Sequence, residues 1–273
     1  MKRKALLAIA GAIASVLFVA PAAQAGPGGN QYKLLKLEGQ LARWTTQKVS
    51  GATVVSYAFA GQTVRTEKAR NCGAMQPVGT ALSHSNISEA QFRQEFAKAA
   101  RMWEEAANIR FVEAKSPETA DILVGLQLEG LGRAFTNVEL SDEKPAPGVK
   151  GIERSLICLN PDMPWKIGFD GNLSAYDLRY TLAHELGHAI GLDHPGGEGS
   201  LMFYKYDETK RGLTQGDMLG AAAIYGAGPK LIAAGAGTAP NGSHAAAPGT
   251  TDDDGAAQTG HPQPPTFALG AKP

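Results

Sequence analysis

Residues 184–194 read HELGHAIGLDH, and they constrain this chain more than any other stretch: half of its six histidines sit there. His184 and His188 are four apart, so a helix places both imidazoles on one face, one turn apart. Glu185 stands beside the first of them, at the rim of the point where they converge. A carboxylate there can take a proton from a bound water. Gly191 reaches the positive φ that ends a helix and turns the chain, and the turn can bring His194 round as a third ligand. Three neutral histidines plus one water form the open tetrahedral set of catalytic zinc, whereas structural zinc is closed by four protein ligands. Five fixed positions with three scarce histidines arise by chance at on the order of one in ten million positions. Three unrelated core or solvated histidines are therefore a poor account of the motif.

HELGHAIGLDH matches HExxHxxGxxH and resembles the zinc signature of the metzincin metallopeptidases. SLMFY supplies Met202, and its distance from His194 resembles the matrixin branch, while Pro195 resembles the serralysin branch. LTQGDMLGAAAIYG (213–226) is similar to the closing helix of both. WEEAANIRF (103–111) and ADILV (120–124) resemble the family's helix-to-strand entry. The resemblance spans residues 50–226. It implies that His184, His188 and His194 bind one catalytic zinc and that Glu185 is general base and then proton donor. It implies that Met202 supports the site without ligating and that Tyr204 helps stabilise the oxyanion. The implied reaction is hydrolysis of internal peptide bonds by a zinc-activated water. The protein or peptide substrate would lie extended on an edge strand within LGRAFTNVEL (131–140). Residues 203–213 and the metal helix would bound the side-chain pocket. SDEKPAPGVKG (141–151) has no histidine, so a second zinc is not implied. Calcium stays open, since Asp142 and Asp170 offer oxygens without a pattern. Arg70-Asn71-Cys72-Gly73 is similar to the matrixin latency element, but it follows the first strand instead of preceding the domain.

The periodicity agrees with an α/β (α+β) fold. ATVVSYAFA (52–60) alternates and is β-branched, and 109–114, 120–127, 131–140 and 155–160 are further strands. Ser88 with Gln91 reads as a capping box opening a helix, whose stripe Phe92, Phe96, Ala99, Trp103 belongs to the core. A second helix starts near Ser174 and carries the histidines; a third starts at Thr214. The resemblance makes this a metzincin-type zincin fold. Its five-stranded sheet is twisted and mostly parallel with an antiparallel edge strand, beside an active-site helix and a closing C-terminal helix.

Lys2, Arg3 and Lys4 precede the apolar run ALLAIAGAIASVLFVA and the small-residue site Ala23-Gln24-Ala25, the pattern of a signal peptide over 1–25. Residues 26–49 are then a short lead-in, and the Gly/Ala/Pro-rich stretch 227–273 is a disordered tail. Export makes one disulfide the simplest account of the two cysteines, Cys72 and Cys158. Removing Lys2, Arg3 and Lys4 from 26 basic against 26 acidic residues leaves a net charge of about −3. That balance argues against a nucleic-acid partner. A secreted or periplasmic monomer, free of the membrane once cleaved, is the expectation. Two other readings stand beside the endopeptidase: a catalytically dead binding module, which intact Glu185 opposes, and a narrow processing peptidase or aminopeptidase.

Overall fold

The computed structural model describes residues 31–235 and 268–270, apart from 68, 80, 81 and 143. The expected signal peptide (1–25) and most of the expected disordered tail lie outside the described residues. In chain order the principal elements are β1 (Lys33–Leu34), β2 (Gln40–Arg43), β3 (Ala52–Phe59), α1 (Glu89–Ala106), β4 (Ile109–Glu113) and β5 (Ile122–Gln127). They continue with β6 (Ala134–Leu140), β7 (Val149–Leu159), α2 (Leu178–Ala189), β8 (Leu192–Asp193), α3 (Gln215–Tyr225) and α4 (Pro229–Ala233).

Five strands form the frame in the order β4-β3-β5-β7-β6. The first four are mutually parallel, and β6 closes the edge antiparallel to β7. Parallel strands need both faces covered, and all six residues of β5 are buried. On one face α1 and α2 supply Phe92, Phe96, Trp103, Leu182 and Leu186. On the other a smaller cluster of Met75, Leu123, Phe135 and Leu156 closes over the disulfide between Cys72 and Cys158. That bridge ties the loop after β3 to β7 across 86 residues of sequence. A loop of that length is worth about 4–5 kcal/mol in the chain-entropy account. The cysteine is buried in this bridge on the face away from the helices.

Helix α1 starts as its sequence predicts. Ser88 accepts from the Gln91 amide, Gln91 returns the bond to the Ser88 amide, and the stripe Phe92, Phe96, Ala99, Trp103 is fully buried. The two ends of the domain depart from expectation. Residues 33–49 are no mere lead-in. β1 pairs with β8, β2 runs parallel to the start of β7, and Leu35 and Trp44 are buried. The chain after 226 is ordered for one more turn. Gly228 donates to the Ala106 carbonyl, where a Cβ would meet the Ala107 nitrogen at 2.5 Å, and Leu231 is buried after Pro229 opens α4. A single leucine and a helix-starting proline are diluted in a compositional average, so composition reads this stretch as disordered. Residues 268–270 also form a strand, parallel to β6 on its outer edge. Among the described residues no helix is long and apolar enough to cross a membrane.

Candidate metal centre

Helix α2 is buried on every side except at Arg179. It has no polar face to orient it, so partners fix it at both ends. At the start Asp177 accepts from the Tyr180 amide at 2.7 Å. Trp103 Nε1 donates to Ala183 O at 2.9 Å, and Trp44 Nε1 to Ala189 O at 2.8 Å. At Gly187 an added Cβ would stand 2.2 Å from Met202 Sδ, so the Met202 side chain lies directly under the helix between its two histidines.

The three histidine Nε2 atoms form a triangle with sides of 3.0, 3.1 and 3.1 Å. The contact between His184 and His188 is not a hydrogen bond. His184 Nδ1 faces Leu201 O at 2.8 Å and His188 Nδ1 faces Leu192 O at 2.9 Å. A carbonyl only accepts, so both Nδ1 atoms carry the proton, and in the neutral ring Nε2 is a bare lone pair. Burial lowers all three pKa values: His188 to about 4, His194 to about 3 with the neighbouring His188 adding to it, and His184 well below its ordinary value. Neutral imidazoles with lone pairs converging at such distances repel one another unless a cation sits among them. The sides are close to the roughly 3.3 Å between ligand nitrogens around tetrahedral zinc. The donor set therefore fits zinc.

His194 arrives by a turn in which four successive carbonyls are engaged. Ala189 O accepts from Trp44 Nε1, Ile190 O from the Tyr225 hydroxyl, Gly191 O from the Leu35 amide and Leu192 O from His188. Gly191 has φ +99, and a Cβ there would stand 2.4 Å from the Ala42 carbonyl oxygen. Gly191→Ala thus meets both an unfavourable backbone conformation and a backbone clash that no rotamer relieves. It is expected to destabilise the fold by about 2–4 kcal/mol and to weaken zinc uptake. Urea denaturation of the two proteins checks this, and a loss below about 0.5 kcal/mol would show that the turn adapts.

Glu185 is buried beside His184. Its Oε2 accepts from Thr136 Oγ1 at 2.7 Å, and Oε1 has no protein partner among the described residues. Burial pushes its carboxyl up to about 8, against the Thr136 hydrogen bond and the Arg133 charge, which favour the anion. Arg133 is itself fully buried, with its guanidinium 4.5 Å from the Tyr176 ring centre and 5.5 Å from that of Tyr206. Burial lowers its pKa to about 10, so it stays charged near neutrality.

The segment after His194 turns beneath the site through Ser200–Phe203. Asp217, at the start of α3, accepts from Ser200 Oγ and from the amides of Leu201 and Met202, and also binds Thr214 as a capping box. Met202 is buried beneath the histidine triangle, under Gly187. Tyr204 lies beside the triangle, its ring 6.4 Å from that of His194. Beyond it, Glu208 and Tyr206 anchor residues 203–213 to the loop before α2, through Lys166 at 2.8 Å and the Asp177 amide at 3.1 Å. The structure thus brings together His184, Glu185, His188, His194, Met202 and Tyr204, while Cys72 and Cys158 lie on the opposite face of the sheet. Thr136, Arg133, Asp217 and Trp44 were missed by sequence reasoning. Only Asp217 carried a signal, the T-x-x-D spacing from Thr214.

The matrixin family model matches residues 80–226, more than half of the chain. The chain is a matrixin. Among curated relatives, this matrixin is 27% identical over 156 residues to metalloendoproteinase 4-MMP of Arabidopsis thaliana, covering 53% of the chain and 43% of the relative. It is 28% identical over 145 residues to stromelysin-2 of Rattus norvegicus, covering 48% of the chain and 28% of the relative. It is 26% identical over 149 residues to karilysin of Tannerella forsythia, covering 53% and 30%. The matrixin chain thus spans less than half the length of each of these relatives.

Proposed function

We propose that this matrixin is an exported zinc-dependent endopeptidase that hydrolyses internal peptide bonds of extended polypeptides. One observation carries the reading: three histidine Nε2 atoms converge beside a buried carboxylate, one oxygen of which has no protein partner among the described residues. Zinc held by His184, His188 and His194 would supply Lewis acidity towards a carbonyl oxygen and lower the pKa of water. Thr136 holds one oxygen of Glu185, leaving the other to accept the proton of the attacking water. Once protonated, Glu185 can return that proton to the leaving amine. Tyr204 would help stabilise the developing oxyanion, a role supported by its ring lying 6.4 Å from that of His194. Met202 serves by filling the space under Gly187. The outer edge of β6 would bind the substrate backbone, a reading supported by the ladder that Ala268–Gly270 already forms there. The family and the signal-like N-terminus support an extracellular site of action.

The test is cleavage of casein and of an internally cleavable peptide blocked at both ends, by residues 26–273 before and after chelation. About one zinc per chain, loss of both activities on chelation and recovery on adding zinc are expected. Cleavage of free-ended peptides only would point to an exopeptidase. Zinc uptake without any cleavage would point to a binding module.

A further inference from the structure

The turn from α2 to His194 is held largely by a segment far away in sequence. β1 lies antiparallel on β8, pairing Lys33 with Asp193 and Leu34 with Leu192. The Leu35 amide donates to Gly191 O at 2.8 Å, and Leu35 is buried. The Asp193 carboxylate faces both ways: Oδ1 accepts the His194 amide at 2.7 Å, and Oδ2 pairs with Lys33 Nζ at 2.8 Å. Further along, Trp44 caps Ala189 O with its indole, and its amide donates to the Tyr225 hydroxyl, which in turn donates to Ile190 O. His184 and His188 come from a core helix, although His188 Nδ1 also leans on Leu192 O in this turn. His194 sits just beyond a two-residue strand and would wander without its partner.

We infer that the N-terminal segment 33–35 is a positioning element for the third histidine, setting how tightly the site holds its metal. This rests on the zinc reading above. The Lys33–Asp193 ion pair is a minor part of it, because Lys33 is 60% exposed; the backbone ladder and buried Leu35 are the main part. A support outside the ligand shell of this kind is worth roughly 10–100-fold in metal affinity. Coupling is reciprocal: if the strand tightens the metal, the metal must tighten the strand by a comparable factor.

Two measurements test this. The first is zinc affinity by chelator competition on residues 26–273 and on a chain starting at Lys36, with the absorption spectrum of the cobalt-substituted forms. The shortened chain is expected to bind zinc about 10–100-fold more weakly and to show an altered cobalt spectrum, as a displaced third ligand requires. The second uses the intact chain only, in case the shortened one fails to fold: hydrogen exchange at the Leu35 amide with and without zinc. Zinc should slow it by a comparable factor. Affinities within two-fold of each other, or exchange at Leu35 indifferent to saturating zinc, overturn the inference. If the intact chain takes up no zinc, the metal reading falls first and this one with it. If it binds zinc and Leu35 does not respond, this inference alone falls.

Discussion

Glu185→Gln is expected to keep about one zinc per chain and to lose casein turnover by about 10²–10⁴-fold, the range that a positioned proton-transfer group supplies. Glutamine keeps the side-chain volume and an oxygen able to accept from Thr136, so the packing around α2 should survive. What it removes is the group able to take a proton and give it back. The variant should also unfold no earlier than the parent, since it takes a buried ionisable group out of an environment that disfavours its charge. Steady-state kinetics with zinc analysis on both proteins checks all three points. Turnover within ten-fold of the parent would remove Glu185 from the chemistry. Loss of zinc from the variant would make it a support of the metal site instead.

Asp217→Ala is expected to cost on the order of 3–5 kcal/mol of stability, although the residue touches neither the histidines nor Glu185. Its carboxylate is buried and accepts from Ser200 Oγ at 2.6 Å, Leu201 N at 3.0 Å, Met202 N at 3.2 Å, and Thr214 N and Oγ1 at 2.8 Å each. Alanine takes this acceptor from the Ser200 hydroxyl and the Leu201 amide in a buried turn and from the capping bonds of Thr214. The effect should reach the metal as well, because the Leu201 carbonyl held in this turn accepts from His184 Nδ1 and so fixes which nitrogen faces the site. Urea denaturation and chelator competition read the two effects. A stability loss below about 1 kcal/mol would mean that the turn holds itself.

Much of this matrixin is legible in its sequence because local rules act there. The i, i+4 spacing puts His184 and His188 on one face, Gly191 supplies the positive φ, and Ser88 with Gln91 opens α1. Strands β3, β4, β5 and β7 show as β-branched or continuously apolar runs. Thr136 and Arg133 have no such signature. Thr136 is one polar residue in the edge strand and Arg133 precedes that strand; their roles come from α2 and from the Tyr176 and Tyr206 rings lying beside them. Trp44 and Leu35 were invisible for a related reason, since their partners are carbonyls 145 to 156 residues away along the chain. The same holds at the other end, where composition averaged Leu231 into its small neighbours.

Sequence alone pointed to the proposed metal site, because ligand type and helical spacing are properties of a few adjacent residues. Tertiary structure decided how that chemistry is held. The tautomers of His184 and His188, the raised carboxyl of Glu185 and the bracing of the turn before His194 depend on burial and on hydrogen bonds between distant segments. Those interactions exist only once the core has closed around α2.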